Sequence, residues 1–123
     1  MSSLNRPLAG DAMFFDLAEE IEQMHAAEAP AQTRRTARTL LKNGPLRVTL
    51  ILLHAGGEIA DHTAPGPITV QVLRGSIRFR VEDNEQRLAA GQIISLAAGI
   101  HHSVAADEDA EFLLTVVQPQ RSE

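Results

Sequence analysis

The chain has 123 residues, with 11 basic and 16 acidic side chains and a formal charge of −5, which is one domain's worth of material. It contains no Cys, Trp or Tyr and only 4 Phe, excluding thiolate catalysis, disulfides and Cys-ligated zinc and leaving little from which to build base-stacking platforms. The acidic balance argues against nucleic acid as a partner, no run of about 18 apolar residues is present to span a membrane, and Met1 to Pro7 lacks the apolar stretch of a secretory signal, so a soluble, cytoplasmic protein is expected.

Residues 1–13, with Pro7 and Gly10, read as an arm, residues 14–117 as the single domain and residues 118–123 as a fraying tail. Phe14, Leu17, Ile21 and Met24 recur at helical spacing with Glu19, Glu20 and Glu22 turned elsewhere, which predicts a short amphipathic helix over 14–27, closed by Pro30. The segment Gln32 to Arg47 carries five basic and no acidic residues: Arg34, Arg35, Arg38, Lys42 and Arg47. A solvated face, or a grip on the acidic helix, is favoured there over an anion site.

From about residue 38 to 117 the chain becomes a series of short β-like runs separated by turn signals. Leu46 to His54 is strongly apolar, and its alternation sets Val48, Leu50, Leu52 and His54 on one face, expected to look inward. Ile68 to Leu73 is mostly β-branched, and Gly75 permits a tight turn into Ser76 to Val81. In that run Ile77, Phe79 and Val81 face one way, Arg78 and Arg80 the other. Glu82 to Glu85 reads as a turn; Gln92 to Leu96, His102 to Ala105 and Phe112 to Val117 follow as strands. Roughly seven or eight short strands with a helix at the front predict an all-β sandwich or barrel.

Hydrolase-elbow, phosphate-loop and dinucleotide fingerprints are all missing. The carboxylates sit mainly on the helix and in loops, which leaves the 5 histidines as candidates for chemistry. His25 falls at the polar end of the helix and reads as a surface residue. His62 follows the Gly56-Gly57 turn, and His101 and His102 follow Gly99. Two His-bearing turns, each introduced by glycine and each leading into a strand, are what a barrel mouth with inward imidazoles requires.

These turns resemble the cupins. The first cupin motif, G-x5-H-x-H-x3–4-E-x6-G, is matched by Gly56, His62 and Gly75, and the second, G-x5-P-x-G-x2-H-x3-N, by Gly91, Gly99 and His102. Ser76 to Ala90 is the short insert of small cupins of the cupin-2, RmlC-like kind, and the resemblance runs from Leu46 to Val117. It implies a double-stranded β-helix, a jelly-roll-like barrel with a short N-terminal helix, commonly homodimeric. It implies no one activity, because the superfamily hosts isomerases, dioxygenases and sensors.

The departures bear on the chemistry. Metal-binding cupins typically use two His and a Glu from the first motif and a His from the second; those positions here read His62, Ala64, Ile68 and His102. His54 and His101 are weaker candidates for a further metal ligand, His54 more readily a buried histidine and His101 expected to point opposite to His102. Three readings stand: a weakly held divalent metal (Fe, Mn, Zn or Ni), a metal-free pocket for a small molecule lined by Val70, Val72, Phe79 and Leu114, and no site. The first would make a metal-dependent dioxygenase or isomerase using His62, His102 and a third donor; the second a binding module for an apolar or weakly acidic ligand.

Overall fold

The computed structural model describes residues 7–27 and 34–119. Pro30, the start of the arm, the first residues of the basic segment and most of the tail lie outside the described residues. The helix α1 spans Leu17–Ala26. Asp16 caps it by accepting the Glu19 amide at 3.2 Å, and Glu19 and Glu20 occupy the first turn, where the helix dipole favours negative charge. The cap starts the helix three residues later than the apolar spacing predicts. Phe14 therefore stays off the packing face and is 91% exposed, whereas Ile21 and Met24 are buried.

Nine strands follow among the described residues: β1 Arg35–Asn43, β2 Leu46–Leu53, β3 Glu58–His62, β4 Ile68–Arg74, β5 Ser76–Val81, β6 Asn84–Ala89, β7 Ile93–Leu96, β8 His102–Ala105 and β9 Ala110–Val117. They form an antiparallel sheet of five, in the order β1-β2-β9-β4-β7, and one of four, β3-β8-β5-β6. β1, β3 and β6 are absent from the strands expected from apolar pattern. Their residues are mostly charged or small and mostly exposed, so pairing with better-marked neighbours holds them in the sheets. Glu82 and Asp83 make the β5–β6 turn, with Glu82 at φ +53°, and Asn84 already pairs with Val81.

Two apolar clusters hold the fold. The first fills the barrel with Ile51, Leu53, Ile68, Val70, Val72, Ile77, Phe79, Val104 and Phe112 among others. The second joins Ile21 and Met24 of α1 to Leu40, Leu50 and Leu52 on the outer face of the larger sheet. β2 is thus buried on both sides, and the expectation for its faces is reversed: Leu50 and Leu52 meet the helix, and Ile51 and Leu53 look into the barrel. Arg38 reaches from β1 to Glu20 of the helix at 3.0 Å, which is the grip on the acidic helix expected of the basic segment. Gly75, between β4 and β5, lies at φ +73°, and a Cβ there would stand 2.4 Å from the Asp109 carbonyl oxygen. Only glycine fits that turn.

Candidate functional site

β3 and β8 pair so that His62 stands opposite His102, after a register shift between Ile59 and His62. Their ring centroids are 4.2 Å apart. His102 is 4% exposed and stacks on Phe79 at 5.6 Å with an interplanar angle of 7°; His62 is exposed at the mouth. Each ring is fixed by the carbonyl two residues before it: His62 Nδ1–H donates to the Ala60 carbonyl at 2.8 Å and His102 Nδ1–H to the Ile100 carbonyl at 2.9 Å. A carbonyl can only accept, so the protons are on Nδ1. When the rings are neutral, both Nε2 atoms are left as lone-pair donors.

Burial holds His102 below the ordinary imidazole range, and the neighbouring His62 and His101 push the same way. The bond to the Ile100 carbonyl and the charge of Asp61 oppose this without cancelling it. His102 is therefore neutral at pH 7.

The two imidazoles border a cavity of about 280 Å³. Val70, Phe79 and Leu114 line it, and so do Ile51 and Phe112. Val72 does not line it: one step further along β4, it is fully buried in the core. β1 contributes two wall residues that sequence pattern missed, Arg35 and Ala37. The signal for Arg35 was its place in the basic segment, where the anion reading was the less favoured one.

The two further histidines fall elsewhere. His54 leaves β2 on the helix side, its ring centroid 6.4 Å from that of His25 and its Nδ1 3.8 Å from Asp109. It does not line the cavity, because the face it ends is the outer one. His101 points away from His102 and bonds Asp61 at 2.8 Å. His25, read as a surface residue, is exposed, with Nε2 3.5 Å from the buried Glu111, which Arg74 approaches at 3.6 Å.

A metal of the kind many cupins hold does not suit this donor set. Ala64 and Ile68 carry no lone pairs where the family's second His and Glu would stand, and no group of three or more His, Asp or Glu side chains is placed to hold an ion among the described residues. Two imidazoles fall short of the three protein ligands usual for catalytic zinc.

The two sheets closed around an apolar interior, with glycine turns delivering His62 and His102 to one end, define a double-stranded β-helix barrel. The cupin-domain model Cupin_2 matches residues 49–118, and the chain belongs to the cupin family. Among solved structures it is similar to a conserved protein of unknown function from Streptococcus pyogenes, 32% identical over 91% of this chain and 92% of that one, with a TM-score of 0.71. It shares its fold with a cupin superfamily protein from Desulfitobacterium hafniense, 14% identical over 78% and 87% of the two chains, TM-score 0.70. KdgF from a Halomonas species also has this fold, at 14% identity over 74% and 87%, TM-score 0.64. No curated protein matches the chain. No helix among the described residues is long and apolar enough to cross a membrane.

Proposed function

We propose that this cupin is a binding module that takes a small molecule in the barrel cavity, with His62 and His102 as its polar contacts. The observation that carries the reading is the convergence of two oriented imidazoles on a mainly apolar cavity of about 280 Å³. That volume falls just under the range for ligand pockets, about 300–1,000 Å³, and a few polar groups in an apolar wall are how such pockets are built. Thermal-shift screening of a metabolite panel tests it, run on the wild type and on the His62→Ala/His102→Ala double variant. Shifts that vanish in the variant support the proposal; equal shifts in both proteins count against it.

The competing reading, a metal-dependent dioxygenase or isomerase, needs a third donor, and neither His54 nor His101 reaches the two rings. Its support is the Nδ1–H tautomer of both histidines, which leaves Nε2 free for a ligand of any kind. Metal analysis of protein purified without a His-tag and loaded with Fe, Mn, Ni or Zn separates the two: a stoichiometric ion would replace the binding-module reading.

A second copy of the chain is the proposed partner. β1 is an edge strand of 9 residues, and Arg35 and Ala37, which line the cavity from it, are exposed. The arm reaches β1 near its end, Leu8 accepting from the Lys42 amide at 2.8 Å. Long open edges need covering. Light scattering tests this, and a monomer at all concentrations would refute it.

A further inference from the structure

The geometry points to a neutral, mainly hydrocarbon molecule with a hydroxyl head as the ligand class: the hydroxyl donates to Nε2 of His102, beside His62, and the body lies against Ile51, Phe79 and Phe112. This rests on the pocket reading above and narrows it.

The two strands fix the direction of the hydrogen bond. Each ring spends its Nδ1–H on the carbonyl two residues before it, at 2.8 Å for His62 and 2.9 Å for His102. Nδ1 is thereby held to the backbone, Nε2 is carried on the far side of the ring, and while the ring is neutral Nε2 can only accept. The two acceptors make unequal demands. His62 is exposed at the mouth, where water can donate to it. His102 is 4% exposed, stacks on Phe79 at 5.6 Å and borders the cavity. A molecule that fills the cavity displaces water from the His102 ring, and a buried acceptor left without a donor costs more than a formed bond gains. The ligand must therefore bring a proton to that point, which a hydrocarbon, an ether or a ketone does not.

The wall selects among donors. No Asp or Glu lines the cavity among the described residues, and Asp61 is bonded to His101 at 2.8 Å outside the lining. An ammonium would enter a mainly apolar space with no carboxylate to receive it, and an amide would bring a second polar group to desolvate there. A hydroxyl donates at the lowest desolvation cost of the three. Size sets the scale: about 280 Å³ is roughly nine water volumes at ~30 Å³ each, which is room for a ligand on the order of ten non-hydrogen atoms.

The test uses the full chain at neutral pH and five probes nearly matched in size: phenol, anisole, toluene, benzylamine and benzamide. Affinities come from calorimetry, and the His102 ring resonances report entry into the cavity and, at Nε2, acceptance of a hydrogen bond. Phenol should bind about five- to a hundredfold more tightly than anisole or toluene, the span set by leaving a buried acceptor unpaired. Of these three, phenol alone should move the Nε2 resonance as a hydrogen bond does. His102→Phe, which keeps a ring against Phe79, should erase the preference, and His62→Phe should retain most of it. Arg35 also borders the cavity, but a guanidinium only donates and would serve the oxygens of phenol and anisole alike, so the preference between those two reads the imidazole.

Anisole bound as tightly as phenol, with both weakened in His62→Ala/His102→Ala, would overturn the hydroxyl class and leave the imidazoles as polar contacts of a pocket. Tighter binding of benzylamine or benzamide than of phenol would overturn the choice of hydroxyl. A preference lost in His62→Phe and kept in His102→Phe would overturn the assignment to the buried ring. Silence of the His102 signals towards every probe, toluene included, would overturn the pocket reading and this inference with it.

Discussion

Ile51 and Leu52 are neighbours on β2 and are both buried, at 6% and 1% exposure, yet they serve opposite faces of the sheet. Truncating either to Ala removes three carbons, worth about 2.4 kcal/mol at ~0.8 kcal/mol per methylene. At Leu52 those carbons are sealed between the sheet and α1, so a closed void is left and the loss should rise to about 4 kcal/mol. At Ile51 the carbons already border the cavity, which merely widens, and the loss should stay near 2 kcal/mol. Against a total of about 5–15 kcal/mol for a domain, the first is a severe lesion and the second is not. Urea unfolding measures both, with unchanged m-values confirming that only stability has moved. Affinity for a hit from the thermal-shift screen supplies the second readout: Ile51→Ala should alter it several-fold and Leu52→Ala should leave it within error. The reverse pattern, binding disturbed by Leu52→Ala and untouched by Ile51→Ala, would refute the assignment of faces and with it the position of the cavity.

His102 should titrate below the ordinary imidazole value of about 6.5, observed through its ring protons; a midpoint at or above that value refutes the burial argument. Because its folded pKa is depressed, the unfolded chain binds the proton first as pH falls. Stability from this group is therefore whole above about pH 6.5 and declines below it towards the folded pKa, and His102→Leu should remove that part of the decline in urea midpoints. Gly75→Ala should cost more than about 2 kcal/mol, since a left-handed alanine costs roughly 1–2 kcal/mol before the Asp109 carbonyl is displaced; a change under 1 kcal/mol in urea unfolding would contradict the turn geometry. Ala64→His combined with Ile68→Glu should confer one tightly held divalent ion per chain by elemental analysis where the unmodified chain holds less. A double variant no better than its parent would show that more than the two side chains is missing.

What the chain discloses in advance depends on how one-sided each element is. β5 alternates apolar and charged residues, and its faces are as expected, with Ile77 and Phe79 buried. Glycine-led turns are equally legible, and they carry His62 and His102 to the same rim. β2 offers apolar residues on both sides, so alternation finds the two faces without saying which meets the helix and which the barrel. His54 was assigned inward through that ambiguity. β1, β3 and β6 have almost no apolar signal of their own and are strands because of what they pair with. Arg35 was missed as a wall residue for the same reason: unless β1 is known to be an edge strand beside β2, nothing in a run of basic residues separates the arginine that enters the cavity from the one, Arg38, that holds the helix.

The substitutions at 64 and 68 form one argument about donors. Metal-binding cupins typically use two His and a Glu from the first motif and a His from the second. With Ile68 in place of the carboxylate and Ala64 in place of the imidazole, an ion would lose two of those four donors. The two imidazoles that are left, His62 and His102, border a cavity lined by Ile51, Phe79 and Phe112. In low-dielectric surroundings of that kind a hydrogen bond is stronger than it would be in water. A cavity organised in this way is suited to holding a small molecule rather than to polarising one. For that reason the proposed function is binding.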